Sequence, residues 1–257
     1  MDEARCIVTP DVRFEPFAWS NGRLTIEGAF QLDTVTSHIY HEVLVSLPLM
    51  CVASKWPVEN VLILGGGDGC SAAEALKFGP KRVVIVDWNR RLVEFCAAHP
   101  DLCKLNRDAY NDPRVEVVFG DAYEYVSRHK DEKFDVVILD FTATDGEARI
   151  DSKEFHTNIR RIALQSAWSR VLDFPLHKLP WWIDSNTIVF DVDYPLDRMG
   201  LDTPMGESFI MCIPTTDYCP DLLGKMRYLT KTHMDAIKNM DAANSKDQTA
   251  RGVFASS

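Results

Sequence analysis

The sequence predicts an α/β protein whose parallel sheet gathers carboxylates along one edge, and three observations carry that prediction. The first is Val61-Leu62-Ile63-Leu64 running directly into Gly65-Gly66-Gly67-Asp68-Gly69. An apolar run of strand length followed by glycines lets the backbone take positive φ and lets a ligand approach closely, because no Cβ stands in the way. The second is Arg82-Val83-Val84-Ile85-Val86 ending in Asp87, about 20 residues past the turn, where a βαβ unit offers a carboxylate to the hydroxyls of a ribose. The third is a pair of further strands, Val115 to Phe119 leading into Gly120-Asp121-Ala122, and Phe134 to Leu139 ending in Asp140. In an open, Rossmann-like sheet ligands sit outside the carboxyl ends of the strands, so the four acids are expected to converge on one crevice.

The remaining elements follow in chain order. Residues 1–50 read as a small β-hairpin unit with a connecting helix. The alternating run Arg23 to Gln31 follows Asn21-Gly22, a hairpin turn signal, and the helix around Tyr40 to Met50 carries Val43, Leu44 and Leu47 at helical spacing. Residues 51–240 read as the sheet domain. Helices are predicted over Ser71 to Phe78, over Arg91 to Lys104 with Asn89 as N-cap, over Ser152 to Leu172, and over Asp221 to Asn239. Thr187 to Val192 and Ser208 to Ile213 suit strands, whereas Pro175 to Trp182 follows no period. Residues 241–257 are polar and aperiodic, which predicts a disordered tail.

Composition narrows the partners. A chain of 257 residues with 46% hydrophobic content can bury the core of one large domain with an accessory piece. With 38 Asp plus Glu against 28 Lys plus Arg, it is poorly suited to a nucleic-acid backbone and well suited to a small cation. The seven cysteines (Cys6, Cys51, Cys70, Cys96, Cys103, Cys212, Cys219) are odd in number and lack a C-x-x-C pair. Neither a disulfide framework nor a metal site is therefore expected, and a reducing cytoplasm fits. Met1-Asp2-Glu3-Ala4-Arg5 is not the basic start of a signal peptide, and no apolar run approaches the roughly 18 residues of a membrane span. The expectation is a soluble, cytoplasmic protein with neither nucleic acid nor membrane as partner.

Taken in order, Gln31, Tyr40-His41-Glu42, Gly65 to Gly69, Asp87, Gly120-Asp121-Ala122 and Asp140 resemble the spermidine synthase family, the polyamine aminopropyltransferases with their PABS domain. The resemblance covers roughly Gly22 to Phe155 and fades beyond. It implies a methyltransferase-type Rossmann-like sheet with an N-terminal β-hairpin unit, an active site between them, and a homodimer or higher oligomer. The implied reaction moves an aminopropyl group from decarboxylated S-adenosylmethionine, a co-substrate and not a tightly bound cofactor, to a small-molecule amine.

By the same resemblance, Gly65, Gly66 and Gly67 admit the nucleoside, Asp87 holds its ribose, and Asp121 with Ala122 holds its adenine. Asp68 faces the aminopropyl ammonium, where ordinary S-adenosylmethionine would bring a repelled carboxylate. Asp140 is the general base, Tyr40 orients the acceptor amine, and Gln31 and His41 line the donor and acceptor channels. On position alone these residues have plainer roles: Asp140 as a turn cap, Asp68 as a helix cap, Tyr40 and His41 as core and rim.

Three departures fall on the acceptor side. After Asp140 the family pattern places a second acid where this chain has Ala143, with Asp145 two residues on. An Asp-Glu pair before the Tyr block is replaced by Thr36-Ser37, and Tyr-Pro-x-Gly becomes Thr203-Pro204-Met205-Gly206. The donor side is nearly complete. An aminopropyltransferase with altered acceptor preference, an S-adenosylmethionine-dependent methyltransferase and a catalytically inactive paralogue all fit. Trp168, Trp181 and Trp182 are read as core or interface residues.

Overall fold

The computed structural model describes residues 12–17, 20–35, 37–141, 152–164, 168–172, 188–191, 208–213, 218–231 and 234–235. Positions 36, 143, 145, 175–182 and 203–206 and the tail 241–257, each named above, lie outside them.

Three antiparallel strands, β1 (Val12–Phe17), β2 (Ser20–Ile26) and β3 (Ala29–Asp33), form the N-terminal unit. Its β2–β3 turn is Glu27-Gly28, with φ of 50° and 79° between the paired Ile26 and Ala29. Two positive-φ residues make the mirror-image turn whose twist suits a hairpin. The Asn21-Gly22 turn signal proves to lie inside β2. Glycine is needed there because a Cβ at Gly22 would sit 2.0 Å from the Phe14 ring on the neighbouring strand.

A continuous helical segment follows: α1 (Ser37–His41), a π-helical turn (Glu42–Ser46) and α2 (Leu47–Ala53). The large sheet then runs through β4 (Asn60–Gly65), α3 (Cys70–Leu76), β5 (Arg82–Asp87), α4 (Arg90–Ala98), α5 (Pro100–Leu105), β6 (Val115–Phe119), α6 (Ala122–Arg128), β7 (Val136–Asp140), α7 (Lys153–Ile162), β8 (Trp168–Leu172), β9 (Ile188–Asp191) and β10 (Ser208–Ile213). The strand order is β6-β5-β4-β7-β8-β10-β9, parallel from β6 through β8, with β10 antiparallel to both its neighbours.

Strand alternation sorts the core into two faces. Leu62, Leu64, Val84, Val137 and Leu139 pack with Tyr125, Phe155 and Ile159 of α6 and α7. Val61, Ile63, Val83, Ile85, Val136 and Ile138 pack with Leu44, Leu49 and the alanines of α3. The N-terminal unit docks through Val12, Leu24 and Leu32 onto Cys70, Leu92, Cys96 and Leu102. It thereby abuts the helices that follow the glycine turn and Asp87.

Three helix expectations need correction. Arg91 to Lys104 is two helices, broken at His99 with ψ 123°, because Pro100 excludes helical geometry from the residue before it. Asn89 caps the first as expected, accepting from Leu92 N–H at 3.0 Å. The predicted helix Ser152 to Leu172 ends at Ile162, and Trp168–Leu172 is β8, paired parallel with β7. Five residues, Trp-Ser-Arg-Val-Leu, are too few to declare a period, and the edge of β7 decided it. The chain from Pro220 to Lys225 is a 3₁₀ turn that becomes extended at Met226, not the start of a long helix. No described helix is long and apolar enough to cross a membrane.

Candidate active site

The chain leaves β4 toward β5 on one side and later returns to β7 on the other, which opens a crevice at the carboxyl ends of these strands. The glycine turn lies in it. Gly65 has φ 84°, and a Cβ there would fall 2.0 Å from the Asp140 carbonyl oxygen. A Cβ on Gly67 would fall 2.6 Å from Asp87 Oδ2. The glycines are thus required by the ends of the flanking strands, by the Asp140 main chain at Gly65 and by the Asp87 carboxylate at Gly67. Gly66 N–H donates to the Asp140 carbonyl (3.0 Å), Gly67 N–H to Asp87 Oδ2 (2.9 Å), and Tyr110 braces the turn by donating its hydroxyl to Gly67 O (2.7 Å).

Asp87 is only 6% exposed, and its second oxygen accepts from Asn89 N–H at 2.7 Å. Burial pushes its carboxyl up to about 6 against those two N–H groups, with the charges of Asp68 and Asp140 adding to the rise. A carboxyl raised on folding binds more protons in the native than in the unfolded chain between about pH 4 and pH 6. Its contribution to stability is therefore present below the unfolded value and lost as pH rises through the folded one. Relative to Asp87→Asn, the ligand-free wild type should lose on the order of 2 kcal/mol between pH 4 and pH 7, read by urea denaturation at each pH. A pH-independent difference would contradict the buried, proton-holding Asp87.

Asp140 ends β7 half-buried, with Oδ1 accepting from the Tyr40 hydroxyl (3.0 Å) and Oδ2 from Ser71 Oγ (2.6 Å). Burial and the neighbouring Asp68 raise its carboxyl above the ordinary range, opposed by His41 and the two hydroxyls. The carboxylate thus ties β7 to α1 and α3, which is more than a turn cap does.

Asp68 is not the N-cap of α3, which is Gly69, and it meets the first turn through one oxygen only. Oδ1 accepts from Cys70 N–H (2.7 Å), while Oδ2 faces His41 Nε2 at 3.9 Å. His41, 3% exposed, holds Ser37 O through Nδ1 (2.7 Å), and its Nε2 is buried without a hydrogen-bond partner. Next to it, Glu42 is fully buried and accepts three main-chain N–H groups, from Arg227 (2.6 Å), Tyr228 (2.7 Å) and Leu229 (2.9 Å).

Asp68, Asp87 and Asp140 converge as expected; Asp121 does not join them. It is exposed and caps α6, accepting from Tyr123 N–H (2.7 Å) and Glu124 N–H (3.1 Å). β6 is the edge strand, three spacings from β7, which puts the two tips about 14 Å apart. Ala122 packs against the core, and Gln31 on β3 donates to Ala29 O at 3.3 Å. Between the tips of β5 and β6 lies a feature that sequence reasoning missed. Trp88 is 66% exposed beside Asp87, and Phe119 carries the Arg90 guanidinium 3.8 Å above its ring. Ser71 and Asn106, which donates to Asp68 O (3.0 Å), were missed as well. Only the place of Ser71 just past the glycine turn could have flagged it.

This sheet order, with a glycine turn and a buried acid at its switch point, defines a Rossmann-like α/β protein with a methyltransferase-type sheet. The chain belongs to the spermine/spermidine synthase domain family, whose sequence profile matches residues 37–166. It is 32% identical over 225 residues to the polyamine aminopropyltransferase of Pyrobaculum calidifontis, a match covering 82% of this chain and 72% of that one. The polyamine aminopropyltransferase of Oceanobacillus iheyensis is 37% identical over 141 residues, which is 54% of this chain but 27% of that protein. Polyamine aminopropyltransferase 1 of Streptomyces coelicolor is 31% identical over 80% of this chain and 40% of its own length. Two of these three relatives are therefore matched over less than half their length. The crystal structure of spermidine synthase from Thermotoga maritima shares the fold, with a TM-score of 0.70 at 22% identity over 90% of this chain and 81% of that one.

Proposed function

We propose that this chain transfers the aminopropyl group of decarboxylated S-adenosylmethionine to an amine, with Asp140 as general base. The observation that carries the reading is the Tyr40–Asp140–Ser71 cluster facing the Asp68–His41 pair across one crevice. Family membership supports the reaction class.

Asp87, once ionised, accepts the ribose hydroxyls, and the Trp88–Phe119 strip leading to Asp121 and Ala122 offers a flat apolar bed for adenine. The glycine turn brings the reactive sulfonium close to the backbone. Asp68 Oδ2 and the unpartnered His41 Nε2 accept from the donor's ammonium. The acceptor nitrogen then attacks the carbon beside sulfur, that carbon–sulfur bond breaks with its electron pair moving to sulfur, and methylthioadenosine leaves. The proton lost by the nitrogen passes to Asp140, whose raised affinity for protons suits a base working near neutrality. Tyr40, bonded to the same carboxylate, orients the incoming amine, a role its hydrogen bond to Asp140 supports. Ser37 replaces an acid of the family pattern, but its carbonyl orients His41. A change of acceptor is the expected consequence of the three departures.

The test is calorimetry with both donors. The decarboxylated form should bind at least about tenfold more tightly than S-adenosylmethionine, about 1.4 kcal/mol, and Asp68→Asn should narrow the gap. Equal affinities would favour a methyltransferase. Methylthioadenosine release across mono-, di- and polyamines then names the acceptor, with putrescine expected to be poor; silence despite tight donor binding would indicate an inactive paralogue.

A further inference from the structure

A ring nitrogen of His41, a carboxylate oxygen of Asp68 and Cys70 Sγ lie within 4.8 Å of one another, and His41 Nε2 is the nitrogen that faces Asp68, 3.9 Å from its Oδ2. The His41 ring is fixed with a proton on Nδ1, since the Ser37 carbonyl it touches can only accept. A neutral ring then turns a bare Nε2 lone pair toward a carboxylate, and a protonated ring turns an N–H that falls short of it at 3.9 Å. Both leave a buried polar atom unsatisfied, which is costly unless something cationic sits between the two groups.

We propose that His41, Asp68 and Cys70 form a three-ligand site for a zinc-type divalent ion at the inner end of the crevice, exclusive with an ammonium there. The exclusivity rests on the donor placement proposed above; the metal site does not. One imidazole, one carboxylate and one thiolate with an open fourth position is a donor set zinc accepts, and a tetrahedral zinc holds such ligands about 3.3–3.6 Å apart. A few tenths of an ångström of contraction brings His41 and Asp68 to that spacing. Both are already oriented by outer bonds of the kind that precede metal binding: Ser37 O on His41 Nδ1 and Cys70 N–H on Asp68 Oδ1.

Cys70 starts α3 and is buried against apolar neighbours. Burial and the charge of Asp68 push its thiol well above the ordinary range, so it is inert until a cation replaces its proton. On binding, the sulfur–metal bond forms as the thiol proton leaves to solvent. The three ligands span 30 positions without a linear motif, which is why spacing alone gave no hint of a metal.

Cobalt(II) is the probe, added to the chelator-treated, reduced chain with no nucleoside present. A thiolate-to-cobalt absorption band that zinc displaces is the expected result. Cys70→Ser and Cys70→Ala should each abolish the band and weaken zinc binding at least about 100-fold, beyond the loss of a mere outer-sphere partner. Cys103→Ser should keep it. A wild type without the band, or folded Cys70 variants that retain it, would overturn the site. Adding decarboxylated S-adenosylmethionine to the zinc-loaded chain separates the two proposals. Competition supports both, whereas a thiolate-bound ion indifferent to the donor leaves the metal site standing and removes the donor's ammonium from Asp68.

Discussion

Asp140→Asn should lower product formation by about 10² or more while donor binding changes by no more than a few-fold. The amide keeps the shape of the side chain, and the bond that shapes the glycine turn, from Gly66 N–H, goes to the main-chain carbonyl of residue 140 and survives the change. What disappears is the lone pair that receives the acceptor's proton. The wild-type rate should rise with pH as Asp140 ionises, with its acidic limb above the ordinary carboxylate range, since burial and Asp68 raise it. Single-turnover rates of methylthioadenosine formation, compared with calorimetric donor affinity, separate the two effects. Near-normal turnover in the variant would mean that Tyr40 and Ser71 merely hold a structural acid.

The second large effect concerns stability. Glu42→Ala should destabilise the fold by about 3 kcal/mol or more, because three main-chain donors lose their acceptor and each buried, unmade hydrogen bond costs about 1–3 kcal/mol. Arg227, Tyr228 and Leu229 are the donors, 185 or more positions away in sequence, so the carboxylate staples the chain after the 3₁₀ turn onto the helix that carries Tyr40 and His41. Lys77, 3.6 Å from Glu42, would also lose a partner while keeping Glu74. Urea denaturation gives the magnitude, and hydrogen exchange at the amides of 227–229 locates it. Unchanged protection there would show that the staple contributes nothing.

Much of the crevice around the glycine turn was legible because its signals are local. Gly65 to Gly69 and Asp87 sit in one βαβ unit, where strand alternation and loop length fix their relative positions. Asp140 follows the same logic, its strand being a buried neighbour of β4. The Tyr40–Asp140 bond spans 100 positions, and only the family resemblance suggested the pairing. Ser71, Asn106 and Tyr110 are ordinary residues in sequence and acquire meaning only through what they touch. Asn21-Gly22 misled because a close-packed ring produces the same glycine as a turn does, and Trp168–Leu172 misled because five residues fit both periods.

The sequence by itself determined the parallel sheet, the glycine turn and the placement of Asp68, Asp87 and Asp140 at or just past strand tips, since unbroken apolar strand runs and glycine's freedom act over a few residues. Tertiary structure alone decided which acids share a crevice. Strand order placed β5, β4 and β7 side by side and put β6 at the edge, so the charge of Asp68 adds to the raised proton affinity of Asp87 and of Asp140 while Asp121 caps a helix in solvent. It also brought His41 of α1 against Asp68 and Cys70. Coulomb and hydrogen-bond energies depend on separation in space, and separation in space is set by the order in which strands pair.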